Sequence, residues 1–428
     1  MKNITIREAF DWLHLDDNHS SGLTNVEWEH LLQFLDEKYK GENIVEIGIH
    51  RLRFINLVGI IQLKTVRIEI LPKLDVNLES NSFNRRSLLN MLRVTKQLPV
   101  QLNNRTTSEF EKVDLSHLLA YLFVTEMYKT LRRGLYRSYE QKTHNLKHLK
   151  GRLLVSQHVK KNVYQSVNAY CEFDELSTNV PLNQVLKAAL KIIKPFVKQG
   201  SLQTQMWMIF EMLDEVDDLY GVEQSFLNSI EINRQNQHYE GISQLAIAII
   251  QSTIMSSGVS KQIAFSYLFK MNDLYEAYVG ECLKILLAPT FYKVDLQHQQ
   301  KKLLVNVFSG RENISLKPDF VVSRMEQNEQ IPMVILDTKW KSIFANSRLN
   351  YNQGDIYQMY AYITAYKTAQ RCIILYPALN EQGLLPKWLV PDTVPEKYIE
   401  MKMIRLDDVD RTLEDLEEVL VLYIEGII

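Results

Sequence analysis

The stretch KPDFVVSRMEQNEQIPMVILDTKW, residues 317–340, decides the reading of this chain. Its two apolar, β-branched runs predict strands, one over 314–322 and one over 332–339, and each carries an acid: Asp319 behind Pro318, and Asp337 within ILDTKW. Asp319 and Asp337 are 18 residues apart, and Lys339 follows Asp337 at a two-residue step. Side chains at i and i+2 of a strand share a face, so Asp337 and Lys339 emerge together while Thr338 points away. Charges among Val334, Ile335 and Leu336 are costly to bury unless they meet a partner or a metal. Two carboxylates and an ammonium at one edge suit metal-dependent phosphodiester hydrolysis. The carboxylates hold Mg²⁺, with Mn²⁺ as a substitute; the hard cation activates water, and the ammonium orients the nucleophile and stabilises developing charge.

An isolated Asp-x-Lys is more often an ion pair on a sheet edge, so the reading depends on its companions. The spacing predicts a helix over 353–368, where DIYQMYAYITAY puts Gln358 and Tyr362 four residues apart on one face, able to touch DNA or an attacking water. Upstream, a helix predicted over 263–287 carries MNDLYEAYVGECL, with Glu276 on an otherwise apolar segment. Glu276 is either a solvent-facing acid or a further metal-site carboxylate. Strand-like runs at 291–296, 303–308 and 371–376 complete a mixed sheet flanked by helices.

Working outward, residues 45–75 alternate (Ile47, Ile49; Val66, Ile68, Ile70) and predict several strands ending at Pro72. From Leu115 apolar residues recur at three- and four-residue steps until Gly134, and a second helix starts near Asn179 and Pro181, a capping residue followed by a first-turn proline. The expected organisation is α+β or α/β and multidomain: a small β-rich domain over 1–105, available for partner contact, a mainly helical domain over 106–260, and a nuclease-like core over 261–428.

The 428 residues carry a formal net charge of -2, so no global positive charge announces a nucleic-acid binder. Between Lys129 and Cys171, however, ten basic residues face Glu140 alone, a local net of +9 that leaves -11 on the rest of the chain. This stretch is either a solvated face paired with acids such as Glu211 and Asp218 or a track for phosphates or for an acidic partner surface. Its histidines, His144, His148 and His158, have no companions at metal-ligand spacing. Three scattered cysteines argue for free thiols in a reducing compartment. No membrane-length apolar run, signal-peptide pattern or phosphate-loop motif occurs, and the expected location is cytoplasmic. Trp340, Tyr275, Tyr278, Tyr357 and Tyr360 read as packing residues.

Taken together, Glu276, Asp319, Asp337-Thr338-Lys339 and Gln358-x-x-x-Tyr362 resemble the PD-(D/E)XK nuclease core, with Pro318 and Asp319 as the motif's first pair. FKMNDLYEAYV (269–279), KPDFVV, ILDTKWK, IYQMYAY and IILYP (373–377), with LKGRL (149–153) and FDELSTNVPLNQVLKAAL (173–190) upstream, resemble the McrC family, nuclease subunits of McrBC-type 5-methylcytosine-specific restriction systems. The likeness runs over roughly 115–380. It implies a Mg²⁺-dependent DNA endonuclease in which Asp319, Asp337 and Glu276 hold metal, Lys339 is the catalytic lysine, and Gln358 and Tyr362 support them. It also implies an McrB-like AAA+ GTPase ring as partner, whose hydrolysis the chain stimulates, and double-stranded DNA containing modified cytosine as substrate. The rival readings are a stand-alone RecB-like repair nuclease and a regulatory stalk whose main work is activating a partner NTPase.

Overall fold

The computed structural model describes residues 2–16, 18–74, 81–97, 114–164, 167–197, 200–219, 221–255, 263–299, 301–327, 329–345, 348–349, 351–378 and 384–421. It divides into two units, Met1–Leu115 with Ile254–Ile428, and Ser116–Thr253. The first and last parts of the chain therefore fall in one unit, where the sequence alone suggested separate domains over 1–105 and 261–428. The reason is a long-range strand pairing. Ile263–Lys270, expected as the start of a helix, is a strand, and it pairs antiparallel with Leu57–Gln62 from Phe265↔Gln62 to Lys270↔Leu57. Its aromatic residues at alternate positions, Phe265, Tyr267 and Phe269, favour a pleated surface over a helix. The helix begins only at Met271 and runs to Leu287.

That strand belongs to a five-stranded sheet that also contains Lys2–Arg7, Val66–Leu71, Leu57–Gln62 and Thr253–Met255. Lys2–Arg7 runs parallel to Val66–Leu71, which is antiparallel to Leu57–Gln62. Gly59 is required here: its φ is +130° and an added Cβ would lie 2.0 Å from the Tyr267 carbonyl oxygen. Against this sheet pack Trp28, Leu31, Phe34 and Leu35 of the helix Asn25–Tyr39. That helix starts with a capping box in which the Thr24 hydroxyl accepts from Glu27 N–H and the Glu27 carboxylate from Thr24 N–H.

The second sheet of this unit is mixed and six-stranded, in the order Tyr292–Leu296, Phe320–Glu326, Glu329–Thr338, Arg371–Pro377, Lys397–Ile404, Lys387–Val390. Glu329–Thr338 is antiparallel to Phe320–Glu326 and parallel to Arg371–Pro377. The helix Gln353–Ala365 lies in sequence between those two parallel strands and buries Met359, Tyr362 and Ile363 against the sheet residues Val321, Ile335, Cys372 and Ile374. This is the mixed sheet with flanking helices that the sequence led us to expect, except that the run expected at 303–308 is the strand Lys302–Val305 of a separate two-stranded sheet with Glu312–Ser315, and the strand expected over 314–322 is broken between Ser315 and Phe320, which leaves Asp319 outside it. Of the tyrosines read as packing residues, Tyr275 and Tyr278 are fully buried, but Tyr357 and Tyr360 are exposed because they fall on the helix face away from the sheet.

The unit Ser116–Thr253 is largely helical, with the helix Leu115–Leu131 entering it and helices Pro181–Ile193, Ser201–Met212 and Glu240–Gln251 inside it. Gly134 follows the first of these with φ +113°. Pro181 opens the next helix at its first position, but Val180 is the capping position, and Asn179 instead accepts from the Gln184 amide and the Asp217 N–H. The basic stretch was not legible as strands, yet Ser138–Leu146, Arg152–Leu153 and Ala169–Ser177 form an antiparallel three-stranded sheet. Three of its cations meet acids of the neighbouring strand: Lys142 and Lys150 pair with Glu175, and Arg152 with Glu172. Gly151 makes the tight turn between them, with φ +69° and no room for a side chain against the Glu172 carbonyl. Cys171, Cys282 and Cys372 are buried free thiols. Among the described residues no helix is long and apolar enough to cross a membrane.

Candidate active site

The register of the mixed sheet assembles the site. Phe320 pairs with Leu336, so Asp319, just before its strand, comes beside Asp337 and Thr338 at the end of the next one. Thr338, expected to point away, takes part directly: its N–H and its hydroxyl both donate to Asp319 Oδ2, at 2.7 and 2.6 Å. Asp337 is 1% exposed and in close ion-pair contact with the Lys339 ammonium. Acid and lysine thus share one side of the strand, as the i, i+2 spacing demands.

The electrostatics follow from this crowding. Burial raises the Asp337 carboxyl to about 7, with the Asp319 charge adding to the rise and Lys339 opposing it. For Lys339, burial acts to lower its pKa, but the carboxylates of Asp337, Asp319 and Asp355 outweigh burial and the net direction is up, so the ammonium stays charged. Glu276, half-buried on the helix Met271–Leu287, is raised by burial and by the nearby charge of Asp319, while the Gln297 amide donating to its Oε1 at 2.9 Å holds it down. Gln297 N–H in turn donates to the Asp319 carbonyl at 2.7 Å, which ties the Glu276 neighbourhood to the Asp319 turn.

Gln358 and Tyr362 do share a helical face, and they face each other. The Gln358 amide donates to the Tyr362 hydroxyl at 2.7 Å, and that hydroxyl donates to the Lys317 carbonyl at 2.9 Å. Burial and the charges of Asp337 and Asp319 raise the phenol's pKa, so it stays a donor. The pair therefore braces the turn that delivers Asp319. The sequence reading missed Asp355, in the first turn of the same helix. Asp355 is buried, pairs with Lys341 at 2.5 Å, and acts electrostatically on Asp337, Lys339 and Tyr376. An acid in a helix's first turn ordinarily reads as a dipole partner, so only its burial marks it out. Trp340 is buried as expected and packs on Tyr275 with ring centroids 5.4 Å apart.

Among the described residues no three His, Cys, Asp or Glu side chains converge closely enough to cage a metal ion. That donor set still suits Mg²⁺, which takes one or two protein carboxylates and completes its shell with water and substrate phosphate. The buried Asp337 oxygens, whose ionisation the surroundings oppose, offer a place where a cation would be welcome.

The fold is similar to a solved structure described as a refined half-complex from the tetradecameric assembly of Thermococcus gammatolerans McrB AAA+ hexamers with bound McrC. The TM-score is 0.73 at 18% identity, covering 98% of this chain and 100% of that one. A cryo-EM structure of the Thermococcus gammatolerans McrBC complex matches with a TM-score of 0.52 at 17% identity, over 67% of this chain and 88% of the other. No curated protein matches. The family model described as McrBC 5-methylcytosine restriction system component matches residues 52–377, and the chain belongs to that family.

Proposed function

We propose that this chain is the McrC-type subunit of its system, a Mg²⁺-dependent DNA endonuclease that works with an McrB-like AAA+ GTPase ring and stimulates its hydrolysis. The observation that carries the nuclease reading is the meeting of Asp319, Asp337 and Lys339 at the ends of two paired strands, with Asp337 buried and raised toward neutrality. A merely structural ion pair needs no second acid beside it. Asp319 and Asp337 would hold the metal, with Glu276, whose carboxyl feels the Asp319 charge, as a further carboxylate, and Gln358 and Tyr362 keep the Lys317–Asp319 turn in place. A divalent ion bound there supplies Lewis acidity and lowers the pKa of water. Lys339 orients the attacking water and faces the negative charge that develops as oxygen attacks phosphorus and a P–O bond breaks. The ring partner and the modified cytosine substrate are supported by family membership and by the assemblies named for the structural neighbours.

The test is cleavage of methylated duplex DNA by the chain plus its ring partner, with wild type, Asp337→Ala and Lys339→Ala compared. Mg²⁺ or Mn²⁺ should support cutting, and Ca²⁺ binding without cutting, because Ca²⁺ accepts looser geometry and acidifies water less. Wild-type cutting by either variant, or robust cutting in excess chelator, overturns the assignment. Full stimulation of partner GTP hydrolysis by Lys339→Ala is expected; its loss would favour a regulatory reading of the same residues.

A further inference from the structure

Glu8, at the end of the first strand of the chain, is fully buried, and it reaches the candidate site by two routes. Its Oε1 accepts from the Trp340 indole N–H at 2.8 Å, and Trp340 is the residue directly after Lys339. Its Oε2 accepts from Asn56 N–H at 3.1 Å. Asn56, held at φ +54°, then turns both of its acceptors on the start of the Glu276 helix: its carbonyl accepts from Met271 N–H at 3.1 Å and its Oδ1 from Asn272 N–H at 2.7 Å. Lys73 lies 3.7 Å from Oε1 and balances the charge. The helix and the strand end so fixed also touch each other, through Tyr275 against Trp340.

From this we infer that Glu8 is a positioning residue for the nuclease site, setting Lys339 through Trp340 and Glu276 through Asn56. The inference rests on the nuclease reading above. Packing alone does not explain the arrangement: a carboxylate is a costly choice for a fully buried position unless each oxygen is used, and here one oxygen serves the lysine's strand and the other the Glu276 helix. A site tolerant of a small displacement would need neither. Glutamine in its place has only one carbonyl oxygen, so one of the two N–H donors, Trp340 or Asn56, would face an amide NH₂.

The experiment is a double-mutant cycle on Glu8→Gln and Trp340→Phe, read by single-turnover cleavage with the ring partner and Mg²⁺, by DNA affinity in Ca²⁺ and by thermal melting. Trp340→Phe keeps a ring against Tyr275 but removes the indole donor. Each single variant should cut about 10- to 100-fold more slowly, the loss typical of a reactive group displaced by a fraction of an ångström to an ångström. The double variant should lose less than the product of the two single losses, because both changes break the Glu8–Trp340 contact, with DNA affinity close to wild type and the melting temperature lowered by a few degrees in each variant. Fully multiplicative losses of rate, or a loss of DNA affinity in proportion to rate, would mean a purely structural role and overturn the inference. Wild-type cutting by Glu8→Gln would overturn it too, provided that Lys339→Ala is inactive. If wild type and Lys339→Ala cut alike, the nuclease reading itself has failed.

Discussion

Replacing Asp337 by Asn should stabilise the metal-free protein at pH 8, an unusual outcome for a change in a buried residue. The carboxyl lies at about 7 in the folded chain, against roughly 4 for an ordinary aspartate, because burial and Asp319 oppose its charge more than Lys339 favours it. The sign follows from linkage. Between pH 4 and 7 the folded state holds a proton that the unfolded state has released, so this group's contribution to stability falls as pH rises through that window and reaches its full penalty above 7. At about 1.4 kcal/mol per pKa unit the penalty is on the order of a few kcal/mol at most, and the gain is reduced by the poorer contact of an amide with the Lys339 ammonium. Asn cannot ionise, so the variant escapes the penalty. Thermal melts in chelator from pH 5 to 8 should show Asp337→Asn melting several degrees above wild type at pH 8, with the gain vanishing toward pH 4–5. Adding Mg²⁺ should raise the wild-type melting temperature and leave the variant's unchanged, by mass action on the folded state alone. A variant less stable than wild type at pH 8, or a difference independent of pH, would refute this account of the site.

Lys339→Ala should lose DNA cutting by at least about 100-fold, as measured by single-turnover assays, since it removes the ammonium in contact with the buried Asp337. Tyr362→Phe deletes the hydroxyl that links Gln358 to the Lys317 carbonyl and should cost about 1 kcal/mol in denaturant unfolding while also slowing cleavage, because the Asp319 turn loses its brace. In the basic stretch, Lys150→Gln and Arg152→Gln should barely alter the salt dependence of DNA binding, as both cations already meet acids of the adjacent strand. Arg133→Gln and Lys147→Gln, both exposed, should each flatten the log–log salt slope by about 0.9 if they contact phosphate, and fluorescence anisotropy across a salt series reads this directly. An unchanged slope with impaired GTPase stimulation would assign them to the ring partner.

What the sequence determined by itself was the local chemistry of the site. Strand periodicity alone put Asp337 and Lys339 on one face, helical periodicity put Gln358 with Tyr362, and the order of strands and helices around them described the mixed sheet; all three are consequences of repeat geometry within a few residues. Relationships between distant segments came from packing across the chain. Ile263–Lys270 looked like the first turns of the helix that follows it, and became a strand because its partner, Leu57–Gln62, lies some two hundred residues away in sequence. The same pairing merged the two ends of the chain into one unit. Gln358 and Tyr362, whose spacing leaves them able to touch DNA or an attacking water, also hold a backbone carbonyl, and that contact was not legible because the hydroxyl's partner at Lys317 is set by how the helix packs on the sheet. Asp355 and Glu8 gave no sequence signal at all: an acid in a first helical turn or after a strand is ordinary on a surface. Their burial, which depends on every element packed around them, is what turns them into parts of the site.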